Sequence, residues 1–152
     1  MIKVKILVIN GPNINMIGIR EKHIYGTISY QRIVQLIVQE GKKRNMEITC
    51  VQSNYEGDLV TWIQDAYFEK YDGIVINPGA YTHTSIALLD AVKAIAPMPV
   101  VEVHLSKVSE REDFRQISYI SKACIKTIQG KKELGYIEAL DVLLDYYRDR
   151  EL

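Results

Sequence analysis

The chain has 152 residues, 47% of them hydrophobic and 25% charged, the size and balance of one ordinary globular domain with enough apolar residues for a full core. Nineteen Lys plus Arg stand against nineteen Asp plus Glu, so net charge gives no argument for a nucleic-acid or anionic-membrane partner. No apolar stretch approaches the roughly 20 residues of a membrane span, and Cys50 and Cys124 stand far apart in no CxxC pattern, as buried free thiols would.

Residues 4–9 (VKILVI) read as a strand that stops at Asn10-Gly11-Pro12. That run is too short for the apolar core of a signal peptide, and a cytoplasmic protein is expected. Residues 11–27 form a connection longer than the usual βα loop of about 2–6 residues, a length common among lids and binding loops. Gly18 and Gly26 are its candidate hinges. Ser29 is placed to cap a helix over 30–44, with Ile33, Leu36, Ile37 and Glu40 stepping by three and four. A strand over 48–51 follows. Leu59, Trp62, Ile63, Ala66 and Tyr67 then repeat at helical spacing. GIVI at 73–76 is a third strand, and 85–96 a helix stopped by Pro97. VVEVHL at 100–105 and CIKTI at 124–128 are further strands. The last helix, over 133–150, carries Leu140, Leu143, Leu144 and Tyr147 on one face.

Strands alternating with long helices predict βαβ units, hence a parallel sheet with helices on both faces. Short strands without polar alternation agree, because both of their faces are covered. The expectation is α/β: one flavodoxin-like domain over 1–152, with a five-stranded sheet of order 2-1-3-4-5. In such a sheet ligands sit beyond the carboxyl ends of the strands, where the order reverses. Strands 1, 3 and 4 end in Asn10-Gly-Pro-Asn13, Asn77-Pro-Gly-Ala80 and Glu102-Val-His104-Leu-Ser106. All three tips are polar, the first two are near-copies, and they are expected to meet.

Several side chains there carry chemistry. A phenol is a poor base at neutral pH, since its ordinary pKa is about 10, but an adjacent guanidinium favours the phenolate. Arg20 and Tyr25 on one loop can form such a pair, or be a surface ion-pairing Arg and a packing Tyr. Thr82, Thr84 and Ser85 are candidate caps at a helix start suited to anions, where His83 is expected to stay neutral. His83 is open to a second reading as a plain surface residue of a capping turn. His104 is either a satisfied core histidine or a general acid oriented by Glu102. Arg111 and Arg115, four apart and expected on one helix face, pair with Glu112 or Asp113, or one of them meets a substrate carboxylate.

Other chemistries lack support. The three histidines have no metal-ligand spacing. GxGxxG and GxxxxGK[ST] are missing, as is a G-x-S-x-G elbow. What survives is an acid–base site for a small polar anion, with no cofactor and no metal.

The segments VINGPNINMIGIREKHIYG, QSNYEGDLVTWIQDA, INPGAYTHTSIALLDAV and VEVHLSKVSEREDFRQISYIS, in this order, resemble the type II 3-dehydroquinate dehydratases over nearly the whole chain. The resemblance implies a cytoplasmic, cofactor-free hydro-lyase that converts 3-dehydroquinate reversibly to 3-dehydroshikimate through an enolate. It implies Tyr25 as the base, Arg20 as its activator, His104 as the acid and Asn13 as the residue that steadies the enolate through a held water. Asn77, His83, Arg115 and the backbone of Leu105 and Ser106 are implied to grip substrate. Asp90 matches a position that reaches a neighbouring subunit's site in a homododecamer built as a tetramer of trimers.

Some positions depart from the family's pattern: Lys22 for a frequent Pro, Lys107 for a common Asn, Tyr55, Ser109 and Ile117 for frequent His, and Leu89 for a frequent Arg. None of these removes a catalytic group. A non-catalytic flavodoxin-like module that binds an anion at 77–85 is the competing reading, because fold does not fix function.

Overall fold

A computed structural model of the chain describes residues 3–25 and 27–151. Five strands, β1 (Val4–Asn10), β2 (Met46–Gln52), β3 (Gly73–Asn77), β4 (Val100–His104) and β5 (Lys126–Gln129), form one sheet of order β2-β1-β3-β4-β5. Every neighbouring pair is parallel. The expected order is therefore the observed one. The strands start or end a residue or two away from the expected bounds. The fifth begins at Lys126 because residues 124–125, after the 3-10 turn Ile120–Ala123, form a bend.

The helices are α1 (Lys22–Tyr25), α2 (Tyr30–Lys43), α3 (Glu56–Phe68), α4 (Ile86–Ala94) and α5 (Leu134–Glu151). Successive strand residues point to opposite faces, so Ile6 and Val8 pack with Ile33 and Ile37 of α2 and Leu140 and Leu143 of α5. Leu7 and Ile9 pack on the other side with Leu59 and Ile63 of α3 and Leu88 and Val92 of α4. Both faces are covered, which is why residues 6–9 of β1 and 73–76 of β3 run apolar without a break. Each such side chain contributes about 1.5–3 kcal/mol on burial.

Ser29 caps α2 as expected, its Oγ accepting from Arg32 N at 3.2 Å. Tyr67 does not join the buried face of α3; its ring is exposed beside Phe68 at the helix end, where the chain turns away from the core. Cys50 and Cys124 are free but only half-buried. Burial pushes the Cys50 thiol up to about 12, which leaves it inert at neutral pH.

The long first connection is not a loop throughout. It holds a 3-10 turn at Ile14–Met16 and the short α1. Ile14 and Ile17 are buried in the core, so its first third is anchored. Gly18 takes a left-handed φ of 89° just beyond that anchor, as a hinge position would. The second hinge candidate, Gly26, lies outside the described residues.

Candidate active site

The turns after β1 and β3 interlock. Asn10 and Asn77 are register partners, and Gly11 N–H donates to Asn77 O at 2.8 Å. A Cβ on Gly11 would lie 2.6 Å from Pro78 O, and one on Gly79 would lie 2.9 Å from Pro12 O. Each glycine thus makes room for the other turn's carbonyl, and Gly79 also has a φ of 59°. The chain leaves this contact through Asn13, itself left-handed at φ 68° and tied by its N–H to Asn54 Oδ1 at 3.1 Å. That sets the Asn13 side chain at the wall of a cavity of about 100 Å³.

Arg20 and Tyr25 come to the same cavity from the long first βα connection. The Arg20 guanidinium donates to the Tyr25 hydroxyl at 3.1 Å and lies 4.2 Å from the ring centroid. A second guanidinium, from Arg111, sits 5.1 Å from that ring and donates to Ser106 Oγ at 3.3 Å. Tyr25 is half-buried between two positive groups. The same guanidinium also pairs with Glu21 at 3.2 Å, and Tyr25 packs against the core, so features of both readings open in the sequence are present together.

His104 ends β4 on the side of the sheet facing α3 and α4, two residues after Glu102. Its Nε2 bonds the Glu102 carboxylate directly, which leaves Nδ1 for a ligand. Glu102 has 0% exposure and is ringed by donors: Thr82 at 3.1 Å, Ser118 at 2.8 Å and Thr127 at 3.2 Å. A buried carboxylate survives only with such partners. The ring is therefore oriented by a carboxylate that is itself held. Leu105 and Ser106 follow at the cavity wall.

The 77–85 segment differs from expectation in detail. Ser85 alone caps α4, accepting from Leu88 N at 3.0 Å. Thr82 turns inward to Glu102, and no side-chain cap is formed by Thr84. The cavity is lined by the 3-10 turn Gly79–His83 and not by the α4 start. His83 Nδ1–H donates to Ile117 O at 2.7 Å. Burial lowers its pKa, an effect that the Ile117 bond only partly offsets, so it stays neutral for a different reason than a helix terminus.

Arg111 and Arg115 do not share a helix. Arg111 is extended between two 3-10 turns, Val108–Glu110 and Asp113–Arg115. Both side chains nevertheless reach the cavity, and Arg115 pairs with Glu112. Asp90 sits on the exposed side of α4 and does not line its own chain's cavity. Among the described residues no three His, Cys, Asp or Glu side chains converge to hold a metal ion.

Sequence reasoning missed the hydroxyls of Ser118 and Thr127 and took Thr82 for a cap. The signal available was Glu102 itself. A carboxylate in so apolar a strand demands donors, although nothing in its spacing says which.

The comparisons with known proteins fit this geometry. A family model described as dehydroquinase class II matches residues 4–144. A 3-dehydroquinate dehydratase of Clostridium perfringens is 51% identical over 96% of this chain and 99% of its own. One from Fusobacterium nucleatum is 54% identical over 94% and 98%. A crystal structure of type II dehydroquinase from Butyrivibrio crossotus superposes with a TM-score of 0.91 at 51% identity, covering 93% of this chain and 97% of that one.

Proposed function

Because the chain belongs to the dehydroquinase class II family, we propose that it is a 3-dehydroquinate dehydratase, removing water reversibly from 3-dehydroquinate to give 3-dehydroshikimate in aromatic biosynthesis. One observation carries the reading. A phenol held by a guanidinium and an imidazole held by a carboxylate open onto one cavity from opposite sides of the switch point.

The C2 proton of the substrate is acidic because the C3 ketone accepts the charge. Tyr25, held by Arg20, takes that proton as the base, and the electron pair moves onto the ketone oxygen. Asn13, through a held water, stabilises the enolate as it forms. The enolate then collapses, C1 and C2 gain a double bond, and the C1–O bond breaks. His104 gives its proton to the departing hydroxyl, which leaves as water. Tyr25 has gained one proton and His104 lost one, so a transfer between them through solvent closes the cycle. Asn77, His83, Arg115 and the backbone of Leu105 and Ser106 together take the substrate's hydroxyls and carboxylate.

The reading extends to the assembly. Asp90 is exposed and away from its own cavity, as a residue serving a neighbouring subunit of a trimer must be, and four trimers would make the homododecamer. A cytoplasmic location goes with it, supported by two free thiols; among the described residues no helix is long and apolar enough to cross a membrane.

Product absorbance tests the reaction. Purified protein given 3-dehydroquinate is expected to produce enone absorbance equally with and without chelator, and Tyr25→Phe to lower kcat by at least about 10²-fold. Near-normal turnover by Tyr25→Phe would remove it as the base. Ligand protection against unfolding with no turnover at all would point instead to the non-catalytic module.

A further inference from the structure

Tyr136, on the first turn of α5, is the largest side chain with no exposure. Its hydroxyl donates to Asn10 Oδ1 at 2.6 Å and accepts from Asn77 Nδ2 at 3.1 Å. One phenol thus ties the ends of β1 and β3, the two strands between which the sheet order reverses. Nothing in the reaction itself uses this group, and its burial keeps it from the substrate.

The direction of these bonds follows from a group that cannot reverse. Gly79 N–H can only donate, and it donates to the Asn77 side chain at 3.1 Å, which makes that atom the amide oxygen. The end of the amide facing Tyr136 is then the nitrogen. A phenol oxygen accepting from that nitrogen must send its own proton elsewhere, and Asn10 Oδ1 receives it. The polarity runs one way through four groups. Among the described residues, Asn77 keeps one N–H and one lone pair without a partner, with 2% exposure, where it lines the cavity.

We infer that Tyr136 is a positioning residue for substrate binding, acting through Asn77 by holding the nitrogen end of an amide whose oxygen is held by Gly79 N–H. The inference rests on the reading of Asn77 as a group that grips substrate. A binding group is effective when its own orientation is locked by packing and hydrogen bonds behind it. With phenylalanine at 136 the amide nitrogen has no buried partner, and other orientations of Asn77 compete with the binding one. If Asn77 holds substrate equally in ground state and transition state, loosening it raises KM while kcat holds.

Steady-state kinetics of the full-length enzyme on 3-dehydroquinate, with thermal melting alongside, test this. Tyr136→Phe is expected to raise KM about tenfold with kcat within about threefold. Asn77→Ala should raise KM at least as much, and the double variant no further, because two residues acting through one contact are not additive. A Tyr136→Phe enzyme that melts earlier but keeps its KM overturns the inference and leaves Asn77 in place. Additive losses in the double variant overturn it too. An unchanged KM in Asn77→Ala removes the reading of Asn77 and the inference together. Should Tyr136→Phe not fold, Asn10→Ala takes the phenol's acceptor away from outside the cavity. The same rise in KM is expected, and an unchanged KM overturns the inference.

Discussion

Glu102 shows how one residue's environment sets both stability and chemistry. Burial pushes its carboxyl up, but the bond from His104, then those from Ser118 and Thr82, outweigh burial and hold it below the usual carboxylate range. A carboxyl whose folded value lies below its unfolded one stabilises the fold fully above the unfolded value of 4.5. That contribution is lost as pH falls through the depressed folded value. Glu102→Gln is therefore expected to melt earlier than the parent at neutral pH, with the gap closing as pH is taken below 4.5. Melting curves of both proteins across that range check it; a gap that stays constant into acid means the ionised form contributes nothing. The same variant is expected to lower kcat by about 10–10²-fold, because His104 loses the charge that orients it.

At the scale of elements, the two strand-end turns work as one unit. Gly11 and Gly79 meet backbone carbonyls, which cannot move aside as a flexible side chain can. Gly79→Ala adds a left-handed backbone at φ 59° to the clash, a strain of about 1–2 kcal/mol before any displacement. It is expected to lower stability to denaturant by at least that amount. It should also lower kcat/KM by at least about tenfold, since Asn13 and Asn77 leave the same contact and small misplacements are costly. Parent-like kinetics in Gly79→Ala would show that the turns need not touch. The first βα connection belongs to this scale as well: Ile14 and Ile17 anchor its start in the core.

For the whole molecule, the exposed side of α4 matters most. If Asp90 completes a neighbour's cavity, Tyr25→Phe and Asp90→Ala chains are each defective alone, yet mixed assemblies contain some sites with both residues intact. Co-assembled variants are expected to recover a measurable fraction of parent turnover, and light scattering to give the mass of twelve chains of 17.4 kDa. A single-chain mass, or no recovery in mixed assemblies, would confine the site to one chain.

The fold was largely legible in the residues taken singly and in order. The apolar centres of β1 (residues 6–9) and β3 (residues 73–76), set between helices with one buried face, point to a sheet covered on both sides. Its parallel order then sends Asn13, Asn77 and His104 to one end. Periodicity and turn chemistry are local, so the sequence carries them. What tertiary structure decided is which groups meet across long separations. Arg111 and Arg115 reach the cavity without sharing a helix, Thr82 abandons a cap for Glu102 twenty residues on, and Tyr136 reaches back 126 residues to Asn10. Such contacts follow from the packing of whole elements, and no spacing within one element encodes them.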